Sequence, residues 1–369
     1  MLNSTDVFVI GGGPAGLAAA IAARQQRFRV TVADGAEPPI DKPCGEGLMP
    51  DGRASIEKLG IQIPLAQARP FYGIRFLSSN LSAEALFREH SFGLAVRRTT
   101  LHKALIERAD QVGVKLLWRT AVNGISSEEV LMATGSVRAR WIIGADGANS
   151  RVRRWAGLNA ARRPNLRYAF RRHYNVAPWT DRMEVYWGRR CQGYATAING
   201  EQVCVALASH DRNIRLEDGL RELPELNARL RDAATVSSER GALTGNRTFK
   251  RIWRGNVALI GDASGTVDAI TGEGLCLAFR QAVVLAECLR AGDLSRYERE
   301  HRQLSLRPLL MARLLLMLDG RPRLQQRTLH VFRKRPEIFR RMLELHTGDS
   351  STLHLALDGL TLGWRVLTA

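Results

Sequence analysis

The chain has 369 residues, 45% hydrophobic and 24% charged, which is enough to bury a large core and too apolar for a disordered chain. Its 54 basic and 36 acidic residues leave a net charge of +18, suited to an anionic surface as partner, while no nucleic-acid-binding motif accompanies that charge. Five scattered cysteines without metal-ligand spacing, no basic leader at the start and no long unbroken apolar run lead us to expect a reduced cytoplasmic protein with no bound metal and no spanning helix.

The first elements carry most information. "DVFVI" reads as a short buried strand, "GGGPAG" as a tight turn, "LAAAIAARQQ" as an apolar helix and "RVTVAD" as a second strand. Gly11, Gly13 and Gly16, with Pro14 and Ala15 between the last two, fit the G-x-G-x-x-G fingerprint. Such a turn lets backbone approach a pyrophosphate, and the helix N-terminus meets the phosphates with free N–H groups. Asp34 closes the second strand, where a carboxylate can hold ribose hydroxyls.

Next comes "DKPCGEGLMP", residues 41–50, which sets Cys44 and Glu46 around Gly45 and Gly47. Residues 70–95 and 165–210 turn β-rich, with "MEVYWG", "GYATAI" and "QVCVALAS" between Gly and Asn turn signals, and predict an antiparallel sheet. "VRRTTLHKALIERA" opens a helix at Arg97 and Arg98. "RWIIGADGANSRVRR" (140–154) and "GNVALIGDASGTVDAITGEGLCLAFRQAVVLAECL" (255–289) each run from a buried strand into a turn joining Gly and Asp. At the end, "LRPLLMARLLLMLDG" is strongly apolar. It leads into "RPRLQQRTLHVFRKRPEIFRR", where eight basic residues and one glutamate interleave with Leu324, Leu329, Val331, Phe332, Ile338 and Phe339. That pattern suits an amphipathic tail on a membrane surface.

"GGGPAG", "GADGANSRVR" and "GDASGTVDAITGEG", in this order, resemble the flavoprotein superfamily of p-hydroxybenzoate hydroxylase and geranylgeranyl reductase. The resemblance implies FAD and an α/β fold: a Rossmann-like FAD-binding domain of glutathione reductase type, an inserted antiparallel β-sheet substrate domain and a helical C-terminal region. The corresponding boundaries are 1–69, 96–160 and 245–292 for the first, 70–95 and 161–244 for the second, and 293–369 for the third. It further implies that Asp34 holds the adenosine ribose, that Asp262, beside Gly261, bonds the ribityl chain, and that Asp146 lies near the pyrophosphate. Arg98 would reach the cofactor in preference to Arg97. Gly272, Gly274 and Leu275 would open a helix aimed at the pyrimidine end of the flavin, where its N–H groups favour an anionic reduced ring. The 41–50 segment would cross the flat ring system, with Gly45 and Gly47 allowing close backbone approach. Cys44 and Glu46 become the catalytic candidates, against the plainer readings of a gap-filling thiol and a carboxylate bonding its own loop.

The resemblance leaves the reaction open. The leading expectation is an NAD(P)H-dependent monooxygenase that hydroxylates an apolar aromatic or lipid-like substrate through a flavin C4a-hydroperoxide. The alternative is a geranylgeranyl-reductase-like enzyme that reduces isoprenoid double bonds. A third reading, from another class, is a flavoprotein maturation factor acting on a partner protein. The sequence has no second G-x-G-x-x-G, so NAD(P)H would reach the flavin transiently or an electron-donor partner would replace it. The basic tail would place the protein at the inner face of the membrane as a peripheral protein.

Overall fold

The computed structural model describes residues 4–159 and 166–348. The segment 160–165, where the expected boundary between the first two domains falls, and residues 349–369 of the expected C-terminal region lie outside the described residues. The strands Ser4–Ile10, Val30–Ala33, Gly135–Gly144 and Val257–Leu259 form the parallel centre of one sheet, with Lys115–Leu117 at one edge and Trp253–Arg254 antiparallel at the other. A parallel strand is covered on both faces, so these segments read as near-continuous apolar runs.

Helix α1 (Pro14–Gln25) leaves the end of the first strand, and the small residues Ala18 to Ala20, Ala22 and Ala23 let it lie close to the sheet. The turn before it allows only glycine at two places. Gly11 has φ +114°, and a Cβ there would sit 2.4 Å from the Ala145 carbonyl oxygen. A Cβ on Gly16 would sit 1.9 Å from the Gly11 carbonyl oxygen. Three further helices follow in this unit: α2 (Pro50–Lys58), α3 (Arg98–Gln111) and the short α4 (Arg151–Trp155).

The second sheet has eight strands and joins distant parts of the chain. Gly73–Ser78 and Leu81–Leu86 pair with each other, and Gly73–Ser78 runs parallel to Met183–Trp187. From there the sheet continues antiparallel through Cys191–Ala197, Gln202–Ser209 and Arg167–Asn175 to Arg240–Thr244. One face is covered by α5 (Leu216–Arg221) and α6 (Pro224–Leu230), whose leucines build a core of their own with Leu207 and Val205. The opposite face carries Ile74, Phe76, Val185, Tyr194 and Thr196, which line a cavity shared with the first unit. A small three-stranded sheet of Gly47–Leu48, Ala68–Phe71 and Gly93–Val96 ties the 41–48 segment to both.

Four helices complete the described residues: α7 (Gly274–Ala291), α8 (Leu294–Leu318), α9 (Pro322–Lys334) and α10 (Pro336–Thr347). Among the described residues no helix is long and apolar enough to cross a membrane. Proline at the first position of α9 and α10 fixes each start where an N–H has no intrahelical partner. The apolar stripe expected to face a membrane has another use. Leu329, Val331, Phe332 and Phe339 are buried, and both helices pack on the strands Gly73–Ser78 and Leu81–Leu86. Phe332 stacks on Phe339 at 4.5 Å, Phe339 meets Phe76 at 5.3 Å, and Phe76 stacks on Trp187 at 4.7 Å. The outward face keeps Arg323, Arg327, Arg333, Lys334, Arg335 and Arg340 exposed.

Candidate functional site

A cavity of about 600 Å³ lies between the two sheets and the C-terminal helices. Two helix N-termini open onto it. Gly13 caps α1 with no side-chain partner, Pro14 follows, and no acidic residue stands in the first turn. At α7, Glu273 occupies the cap position without a side-chain cap bond, and Gly274 and Leu275 begin the helix at the cavity wall. The unpaired N–H groups and the positive dipole ends of both helices therefore face the same space.

Of the residues expected at the cofactor, Gly13, Pro14, Ala15, Gly45, Gly47, Arg98, Gly261, Asp262, Gly272, Gly274 and Leu275 line the cavity, as do Cys44 and Glu46. Asp262 is open to it. Burial in protein pushes its carboxyl above the usual carboxylate range, opposed by Lys42 and Arg98. Arg97 is turned away, with its guanidinium on His173 Nδ1 at 3.0 Å.

Gly11, Gly16, Asp34 and Asp146 are not part of the cavity lining. Gly11 and Gly16 are used against each other and against Ala145, as the close contacts above require. Asp34 is outside the cavity lining: its carboxylate accepts from Gly12 N at 2.7 Å and Ala36 N at 2.8 Å, so it braces the glycine turn. Asp146 is outside it too. Oδ2 accepts from Arg151 N at 2.6 Å and Val152 N at 3.1 Å at the start of α4, and the adjacent Gly147 takes the place at the wall. Gly45 has open space where a Cβ would point, whereas at Gly47 that space is filled by the Met183 side chain.

Glu46 is locked between these glycines. It has φ +61°, a conformation strained for a residue with a side chain, and it is 3% exposed. Oε1 accepts from Arg98 N at 3.0 Å, and Oε2 lies 2.7 Å from His173 Nε2. Arg97 Nη2, Arg171 Nη1 and Ser237 Oγ all approach His173 Nδ1, at 3.0, 3.0 and 2.8 Å. A guanidinium cannot accept, so Nδ1 accepts, and the ring proton sits on Nε2 and is donated to Glu46. Cys204 lies beside this pair, its thiol 3.7 Å from the Cys44 carbonyl. Glu46, His173 and Cys204 bring three ligand-type atoms together, and the proton that His173 Nε2 donates to Glu46 lies between them. Cys44 Sγ accepts from Glu46 N at 3.3 Å, and burial pushes its thiol upward.

Several residues were not singled out in the sequence. His102 sits in α3 and its Nε2–H donates to the Gly12 carbonyl at 2.8 Å, steadying the glycine turn from behind. Lys42 lines the cavity near Gly147. Ile74, Phe76, Val185, Met311, Leu315, Phe339, Met342 and Leu343 give the far end of the cavity an apolar wall, to which both the sheet and helices α8 and α10 contribute. Glu273 and His346 meet at its edge, with Oε2 and Nδ1 3.4 Å apart. Nothing in the local spacing of these residues signals the encounter, because each pair or wall is assembled from separate elements.

The residues fit a flavin dinucleotide. Arg98 Nε is buried with no hydrogen-bond partner among the described residues, and Lys42 shares its wall, so two cations await an anionic group. Asp262 offers acceptors to hydroxyls. A Cβ on Gly13, Gly45 or Gly274 would meet no protein atom within 4 Å, so all three leave room for a ligand against bare backbone. Residues 4–293 match the FAD binding domain family. The menaquinone reductase of Mycobacterium tuberculosis is 32% identical over 327 residues, covering 80% of this chain and 78% of that protein. Digeranylgeranylglycerophospholipid reductase 1 of Methanothermobacter thermautotrophicus is 28% identical, covering 81% and 82%. The crystal structure of p-nitrophenol 4-monooxygenase from Pseudomonas putida superposes with a TM-score of 0.79 at 19% identity, covering 94% and 97%; that likeness is one of fold.

Proposed function

We propose that this chain, which belongs to the FAD binding domain family and is an FAD-dependent oxidoreductase, reduces a carbon–carbon double bond in an isoprenoid lipid. The observation that carries the reading is the apolar end of the cavity, walled by Phe76, Met311, Phe339, Met342 and Leu343 and continuous with the space that fits the flavin. An isoprenoid chain has no polar group to recognise, so its affinity comes from apolar area removed from water. Two relatives, at 32% and 28% identity over most of their length, are named menaquinone reductase and digeranylgeranylglycerophospholipid reductase, which supports the same choice. Hydroxylation of an apolar substrate also fits the family and the fold, and the test below separates the two.

Reduced FAD, when bound, supplies the hydride equivalents for such a reduction. The chain supplies the rest. Arg98 and Lys42 would hold the diphosphate, Asp262 the ribityl hydroxyls, and the N-termini of α1 and α7 would favour anionic groups at the two ends. Glu46 and His173 fix the 41–48 segment at the cavity. The apolar wall excludes water and aligns the chain. NAD(P)H, or an electron-donor protein in its stead, reduces the flavin. To test the reading, protein reduced with dithionite is mixed anaerobically with menaquinone in detergent micelles. A side chain that has gained two hydrogens is expected by mass spectrometry after the quinone ring is reoxidised; a side chain left intact without oxygen and hydroxylated with it would favour hydroxylation.

The exposed basic face of α9 and α10 gives this reading a source of substrate. We place it against an anionic bilayer, with α10 also giving its inner face to the cavity wall. Cosedimentation with vesicles containing phosphatidylglycerol is expected, falling at least tenfold as salt rises from about 0.1 M to about 0.5 M. Binding that ignores salt, or none at low salt, would remove the membrane from the account.

A further inference from the structure

We propose that Glu273 and His346 hold one proton between them at the cavity wall, and that His346 passes it to the substrate. The geometry begins with His346, whose Nε2 lies 3.0 Å from the Thr271 carbonyl. A carbonyl only accepts, so Nε2 carries a hydrogen and Nδ1 is left to face Glu273 Oε2 at 3.4 Å. Both atoms are buried and neither has another hydrogen-bond partner among the described residues. Two bare lone pairs do not face each other across that distance in a buried site without cost. One proton between them resolves the conflict. His346 lines the cavity beside Met342, Leu343 and Gly272, which puts the held proton at the wall where substrate lies.

The surrounding charges set where the proton rests. Glu273 Oε1 is 3.5 Å from Arg280 Nη2. Asp51, from α2, lies 3.2 Å from Arg280 Nη1 and 3.6 Å from Arg307 Nη2 of α8. The buried Cys276 thiol completes the surroundings, and burial, followed by Asp51 and Glu273, pushes it upward. Burial drives Glu273 up to about 7 against the pull of Arg280 and Arg307. Burial drives His346 down to about 4, against the opposing effect of Asp51. The proton therefore rests on Glu273 and is donated to a neutral imidazole. Reducing a double bond adds a hydride, which bound reduced FAD provides, and a proton. Substrate draws the Nε2–H of His346 out of its bond to the Thr271 carbonyl, and the alkene electron pair takes that proton and forms the second C–H bond. Nδ1 takes the Glu273 proton in exchange, and the starting state returns when solvent protonates Nε2 and Nδ1 gives its proton back to Glu273. The donor role rests on the reductase reading; the shared proton does not.

Two readouts test the two parts separately. In flavin-loaded protein labelled with ¹⁵N-histidine, the Nδ1 resonance of His346 is expected to shift as pH rises through about 7, the point at which Glu273 loses its proton, and to stay flat in Glu273→Gln. A flat wild-type resonance from pH 5 to 9 overturns the shared proton, and this arm needs no variant to fold. In single turnovers of dithionite-reduced protein with menaquinone, the rate at which the side chain gains two hydrogens is expected to fall about tenfold per pH unit above 7, as the protonated form is lost. Glu273→Gln should be at least tenfold slower with that limb gone. A wild-type profile flat across this range overturns the donor role. Absence of any product reduced in the isoprenoid side chain overturns the reductase reading, and the donor role with it, while the resonance still decides the shared proton.

Discussion

Gly13→Val is expected to give a folded, colourless protein. The position offers a direct separation of fold from cofactor, because a Cβ there meets no protein atom within 4 Å while the residue lines the cavity at the start of α1. The valine side chain would occupy the space that a pyrophosphate needs against bare backbone. The apo-protein should melt within about 2 °C of wild type, while FAD affinity falls by at least about a hundredfold, or roughly 3 kcal/mol. Gly16→Ala should behave in the opposite way. Its Cβ would lie 1.9 Å from the Gly11 carbonyl oxygen, and backbone cannot move aside as a flexible side chain can. Loss of stability of about 3 kcal/mol is expected in the absence of any flavin. Calorimetry of both apo-proteins beside an FAD titration checks the pair. If Gly13→Val binds FAD normally, the dinucleotide does not lie where we place it.

Glu46→Ala is expected to destabilise the protein by about 3 to 5 kcal/mol, measured by denaturant unfolding of the apo-protein. The substitution leaves His173 Nε2–H without an acceptor, and Arg98 N loses its partner at the start of α3. It also leaves Arg97 and Arg171 converging on a ring whose other side is no longer anchored. The strained backbone gives no offset, since alanine tolerates φ +61° no better than glutamate. Glu46→Gln should lose less, because an amide oxygen can still accept from His173. If Glu46 were instead the proton carrier, Glu46→Gln would be nearly as stable as wild type and would lose the pH dependence of turnover. We expect its pH profile to be unchanged, since both carboxylate oxygens are committed to holding the segment.

The parts of this site that the sequence made legible are those built within one local unit. The strand–turn–helix around Gly11 to Gly16 is such a unit, and so is the Gly261–Asp262 turn with the Gly272–Gly274 helix start. Backbone proximity to a dinucleotide constrains neighbouring residues there, so the constraint appears as spacing. Asp34 and Asp146 show the limit of that reasoning. Each stands at the end of a strand as the fingerprint demands, yet each carboxylate is taken up by backbone N–H groups of its own turn. The spacing specifies a carboxylate, and only coordinates say which donors reach it first. The pair of Glu46 and His173 is 127 residues apart in sequence and leaves no periodic trace. His346 meets Glu273 only because α10 folds back beside the start of α7. The tail presents a different lesson. Its alternation of basic and apolar residues was compatible with a bilayer or with a protein surface, and the apolar half packs on the second sheet. An amphipathic pattern specifies that one face is buried and leaves open in what.

The most direct measurement on the central claim is the mass of the product. Flavin-loaded protein is incubated with NAD(P)H, a bacterial lipid extract and ¹⁸O-labelled oxygen gas, and the lipids are surveyed by mass spectrometry. The account predicts an isoprenoid lipid that has gained two hydrogens and carries no label. A product bearing one labelled oxygen atom would contradict it and establish hydroxylation as the reaction of this cavity.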